Sequence, residues 1–190
     1  MKKISILVVT MFCLLLVVAC SNEADKKKEE TPEPAPKVSL EKMATEIKEQ
    51  IAEDLKAGGV TEPLVDGKLQ MYIEANLKDS TESDPGVPIY LERMQINQED
   101  LANGVVVGAM MNVNSDEIIV LEAADEEKVD ALKEALEREK AAQNQTWEQY
   151  LPDQYEKVKK NIIKTNGTFL IYITYDNPES IEKIFDNQFK

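Results

Sequence analysis

The sequence predicts an α+β fold: a small, mainly antiparallel three-stranded sheet, made of a β-hairpin plus a later strand, packed against several helices in a single domain. Three observations carry this. Two runs rich in β-branched residues flank Asn114-Ser115. A third such run, Thr168 to Tyr175, follows Asn166-Gly167, and apolar residues recur at helical spacing before, between and after the runs.

In chain order, Leu40, Met43, Ala44, Ile47, Ile51 and Leu55 form one stripe that ends at Gly58-Gly59, which predicts an amphipathic helix. Leu69 to Leu77 fits a strand or a helix, and Asp79 to Gly86 is a polar loop. Gly104 to Asn112 and Glu117 to Leu121 form the hairpin, and their apolarity at both parities requires burial on both faces. Asp125 caps a helix with Val129, Leu132, Ala135 and Leu136 inward and a Glu134 to Arg138 pair outward. A break near Asn144 leads to a second helix, with Tyr155, Val158 and Ile162 on one stripe, which Asn166-Gly167 stops. The third strand follows. Asn177-Pro178-Glu179 then starts a last helix carrying Ile181, Ile184 and Phe185.

Charge narrows the partners. The 190 residues hold 22 basic and 36 acidic side chains and no histidine, for a formal charge of -14. Lys2 and Lys3 are the only charges before Cys20, so a chain starting at Cys20 keeps 20 basic against 36 acidic residues, or -16. Such a surface repels nucleic acid and anionic headgroups and attracts cations and basic proteins.

The first 19 residues have the layout of an export signal: two lysines, an uncharged run from Ile4 to Ala19, then small residues before a cysteine. At 16 residues the run is short for a membrane span of about 20. Val17-Val18-Ala19-Cys20 resembles the bacterial lipobox. The resemblance implies that Cys20 receives a diacylglyceryl group and becomes the mature N-terminus, and that Cys13 leaves with the leader. Two acyl chains, at roughly 0.8 kcal/mol per buried methylene, hold a protein at a membrane effectively permanently, whereas one chain binds marginally. Residues 20–38 then read as the lipidated cysteine and a disordered tether, with Pro32, Pro34 and Pro36 amid mixed charge. As a loose coil the segment after Cys20 spans roughly 20 to 25 Å. The folded domain is residues 39–190.

Missing residue types limit the chemistry. Without histidine or a free thiol after maturation, Ser-His-Asp catalysis, Cys-His catalysis and ordinary zinc sites are excluded, and no cofactor is expected. Ser39-Leu40-Glu41-Lys42 matches the S-x-x-K spacing of penicillin-interacting enzymes, but their partner motifs are missing and Ser39 reads as a helix cap. Asp79, Glu82 and Asp84 offer oxygen ligands for calcium on a flexible loop, without EF-hand spacing, so a solvated loop is the plainer reading. Lys157, Lys160 and Lys164 line one face of the expected second helix, where an anion or the helix dipole would suit them. Trp147, Tyr150 and Tyr155, beside Leu151-Pro152, form the candidate binding surface, against a plainer role in packing the corner between two helices.

The hairpin with Asp116-Glu117-Ile118, the helix after Asp125, Trp147 to Pro152 with Tyr155, and the Gly167 strand resemble the Gram-positive lipoprotein family labelled domain of unknown function 4358, over residues 88–175. The resemblance supports an α+β domain on a lipobox and tether, and it implies no activity or site residues.

The sequence thus points to a lipid-anchored domain at the outer face of the bacterial cytoplasmic membrane, which binds or scaffolds rather than catalyses. Its expected partners are the membrane, through the lipid on Cys20, and a cationic or protein component of the envelope. Small-ligand or calcium binding is the alternative, and an enzyme without histidine is the third choice.

Overall fold

The computed structural model describes residues 38–79, 84–110 and 112–190. The expected leader, Cys20 and the tether up to residue 37 lie outside the described residues, as does Glu82. Helix α1, Leu40–Ala57, starts where Ser39 Oγ accepts the Lys42 N–H at 3.3 Å, which is the cap the sequence implies. It stops at Gly58-Gly59, where Gly59 takes φ +93°, a left-handed value that glycine adopts without strain.

Next comes a ribbon of two short strands, β1 (Leu64–Val65) and β2 (Lys68–Leu69). Asp66-Gly67 turns between them with φ of +51° and +76°, as a two-residue hairpin of matching twist needs. The ambiguous segment after it contains strand β3, Tyr72–Asn76. Helix α2 spans Gly86–Met94, within a stretch whose first residues read as loop. Strands β4 (Leu101–Ala109) and β5 (Glu117–Ala123) are the expected hairpin.

Helix α3 runs unbroken over Val129–Tyr150, so the break expected near Asn144 does not occur. Asn144 Nδ2 and Thr146 Oγ1 bond back to the carbonyls of Lys140 and Ala142, at 2.9 and 3.0 Å, so these polar residues are satisfied inside the helix. The break comes at Leu151-Pro152: proline forces Leu151 out of helical geometry and opens α4, Pro152–Lys159, as its first residue.

The expected continuation of that helix through Ile162 is also corrected. Ile162–Asn166 is strand β6, and Gly167-Thr168 turns a hairpin into β7, Phe169–Thr174, with Gly167 at φ +57°. Tyr155, Val158 and Ile162 have helical spacing, but Asn161 leaves the helix. Its Nδ2 donates to Ile173 O and Thr174 Oγ1 across the sheet, both at 3.0 Å. Helix α5, Pro178–Asn187, ends the chain.

The main sheet therefore has five strands, in the order β3-β4-β5-β7-β6, all antiparallel, in place of the expected three. The two added strands lie at its edges. They are short and carry polar residues, so their pattern is weaker than that of the central three. Residues of alternate parity go to opposite faces. Ile118, Val120, Ile171 and Ile173 join α1 and α5 in one core, while Ile119, Leu121, Leu170 and Tyr172 join α2 and α3 in the other. Helices on both faces account for the unbroken apolar runs of the middle strands.

Candidate functional site

A cleft of about 260 Å³ opens where the β4–β5 connection meets α2 and the end of α3. Gly108 and Ala109 of β4, Tyr90 and Arg93 of α2, and Gln143 and Trp147 of α3 line it. Ile73 of β3 and Met110 after β4 form its apolar lip, and Met110 with Met71 also borders an adjoining hollow beside β3. Met71 extends this lip beside the hollow, and all three residues are exposed, Met110 at 63%.

The polar groups of the cleft and the buried Glu139 behind them form one chain of hydrogen bonds. Arg93 donates from Nε to Glu139 and from Nη2 to Glu117, both at 2.7 Å. Gln143 Nε2 donates to Glu139 at 2.7 Å and to Glu117 at 3.3 Å, and its Oε1 accepts the Trp147 indole N–H at 2.8 Å. The Glu139 side chain has no exposed surface, and the Arg93 cation also lies 5.0 Å from the centre of the Tyr90 ring. Burial, then the charge of Glu139, pushes the Glu117 carboxyl up to about 8, against the pull of Arg93. Protonation of Glu117, which this raised value favours, lessens the repulsion between the two acids.

Just before β5, Asp116, which with Asn114 also borders the cleft, anchors a second network. Asp116 Oδ2 accepts the Tyr72 hydroxyl at 2.6 Å and Asn114 Nδ2 at 2.9 Å, and its Oδ1 accepts Lys157 Nζ at 2.6 Å. Lys157 Nζ also reaches Asn114 Oδ1 at 3.0 Å and Asp176 Oδ1 at 3.1 Å. Burial and the Asp116 carboxylate drive the Tyr72 hydroxyl far above the usual phenol range, so it stays a donor.

The residues singled out in the sequence separate in space. Trp147 is buried at 6% exposure in the last turns of α3, Tyr150 is 51% exposed with its ring centre 5.8 Å away, and Tyr155 is half-buried on α4 beneath Lys159. Of these three only Trp147 lines the cleft. The lysines do not share a helix face. Lys157 is buried against Asp116, Lys160 is exposed after α4, and Lys164 sits on β6 paired with Glu182 and Asp186 of α5. Asp79 is exposed, and Asp84 Oδ1 accepts the Gly86 N–H at 2.8 Å at the start of α2. Among the described residues no group of three acidic side chains converges as a metal site.

Sequence reading passed over Arg93, Glu117, Glu139 and Gln143. A signal for part of this set existed: Leu132, Leu136, Glu139, Gln143 and Trp147 follow one another at spacings of three and four, so two polar residues continue the buried stripe of α3. Glu117 likewise shares the parity of Ile119 and Leu121.

Among the described residues no helix is long and apolar enough to cross a membrane. Comparison with curated proteins found no match, and neither did comparison with solved structures. Residues 90–175, from Tyr90 in α2 to Tyr175 after β7, match the family model described as Domain of unknown function (DUF4358), a span that contains the Arg93–Glu117–Glu139 group and the Asp116–Lys157 pair.

Proposed function

We propose that this chain is a lipid-anchored, extracytoplasmic binding module that turns over no substrate, and that it docks a basic protein of the cell envelope over the lip of the cleft. The observation that carries the docking surface is the lip itself. Met71, Ile73 and Met110 are exposed at one edge of the sheet, beside a polar cleft whose charged groups already satisfy one another. Neighbouring exposed apolar side chains of this size favour contact with a partner over contact with water. The excess of acidic residues favours a basic partner, and the lipobox-like Val17–Cys20 supports an anchored position.

The test is crosslinking of the full chain in membranes. A partner joined to the natural chain should disappear from the joint variant Ile73→Asp, Met110→Asp and persist in Ile89→Asp, a change at another exposed apolar side chain, on α2. An unchanged partner in the joint variant would sink the docking face. Crosslinks between copies of this chain would replace the basic partner with self-association.

A further inference from the structure

Asn114 in the β4–β5 connection and Lys157 on α4 lie 43 positions apart, yet Lys157 Nζ donates to Asn114 Oδ1 at 3.0 Å. One carboxylate touches both reacting nitrogens: Asp116 Oδ1 accepts Lys157 Nζ at 2.6 Å and Asp116 Oδ2 accepts Asn114 Nδ2 at 2.9 Å. The Asp116 N–H donates to Asn114 Oδ1 at 3.1 Å, where negative charge would gather on that oxygen if its carbon were attacked. The Tyr72 hydroxyl fixes Asp116 Oδ2 at 2.6 Å, and the Lys157 and Asp116 side chains are only 8% and 4% exposed. An ion pair alone requires none of the contacts to the amide. Together they place a nucleophile, an electrophilic carbon, a proton carrier and an oxyanion donor within one set of hydrogen bonds.

We propose that the folded chain joins Lys157 to Asn114 by an amide bond, with Asp116 as the catalytic residue. Asp116 takes a proton from the Lys157 ammonium through Oδ1, and the free amine attacks Asn114 Cγ. The tetrahedral oxyanion on Oδ1 is held by the Asp116 N–H. Asp116 passes its proton to Nδ2, the Cγ–Nδ2 bond breaks, and the second proton lost from Nζ leaves with the departing nitrogen as ammonium. Nζ keeps one hydrogen as the amide N–H, Asp116 ends as a carboxylate, and no oxidant or co-reactant is needed. The fold supplies the reaction by holding both groups in contact. Asp176 Oδ1, on an 80% exposed side chain 3.1 Å from Nζ, opposes it by competing with Asp116 and Asn114 for the hydrogens on Nζ. The product would staple α4 to the β4–β5 connection without any cysteine.

The test is peptide mapping of the full chain, isolated from membranes, denatured and digested with trypsin. A peptide containing Asn114 should appear joined to one containing Lys157, lighter than the two together by one ammonia, with no cleavage after Lys157. Lys157→Arg and Asn114→Ala should each yield separate peptides, and Asp116→Asn should lower the linked fraction at least tenfold. Asp176→Asn should raise the rate of linkage. Asn114→Asp guards against variants that fail to fold, since it should give a linked peptide of the same mass by losing water instead. Separate peptides from the natural chain after days of incubation, with Lys157 cleaved normally, would overturn the proposal. A link undiminished in Asp116→Asn would overturn the role of Asp116.

Discussion

Arg93 Nη2 lies 2.7 Å from Glu117 Oε1 while its Nε lies 2.7 Å from Glu139 Oε2, so one guanidinium on α2 ties a strand to a second helix through two buried acids. The ordinary value for such an acid is near 4.5, and burial beside Glu139 lifts Glu117 to about 8. Between those values the folded chain holds a proton that the unfolded chain has released. Its contribution is therefore fully present below about 4.5 and is lost as pH rises towards about 8. Glu117→Gln removes the titration, so chemical denaturation across that window should show a flatter pH dependence in the variant. Equal slopes in the two proteins would contradict the assignment.

Trp147 separates packing from surface binding. Its ring is buried and its indole N–H is spent on Gln143, so Trp147→Ala should destabilise the domain by about 3 to 5 kcal/mol. That is a large share of a typical total of about 5 to 15 kcal/mol. Tyr150, half exposed at the helix end, should cost less than about 1 kcal/mol when truncated. Denaturant unfolding measures both. A Trp147→Ala loss on the scale of the Tyr150 change would mean that the ring does not support the core.

These contrasts show which parts of the fold a sequence makes legible. The middle strands, buried on both faces, carry unbroken apolar runs such as Ile118 to Leu121, and the hairpin they form is readable from the polar break at Asn114-Ser115, although the turn itself falls at Asn112-Val113. Edge strands have no such signature. Ile162–Asn166 is half polar and follows a true helix, so local spacing extends that helix across Asn161, and only the hydrogen bonds to Ile173 and Thr174 decide against it. The cleft was hidden for a related reason. Arg93, Glu117 and Glu139 come from three separate elements, and their meeting depends on how α2 and α3 pack over the sheet.

The proposed anchoring at Cys20 has a direct chemical test. Cys20→Ala should abolish incorporation of labelled fatty acid and alter processing of the leader. Labelling that persists in the variant would sink the lipobox reading.

Calcium binding to the loop should be weak and salt-sensitive at most. Asp84 is engaged by the Gly86 N–H, and Asp79 is exposed. Submicromolar affinity by calorimetry, lost when Asp79 and Asp84 are neutralised together, would overturn this expectation.

The pairing of the first helix with the last sets the order in which the domain can be completed. Gln188 Nε2 donates to Glu46 at 2.7 Å across 142 positions, and the Tyr175 hydroxyl donates to Asp54 at 2.9 Å across 121. Helix α1 is made before Ile181 and Phe185, which complete the core beneath it and follow it by most of the described residues. The α2–α3 side needs nothing beyond β7, so it can assemble while α5 is still being synthesised. Until then the apolar stripe of α1 has no finished surface to cover. The first helix therefore cannot lock into place before the last one exists.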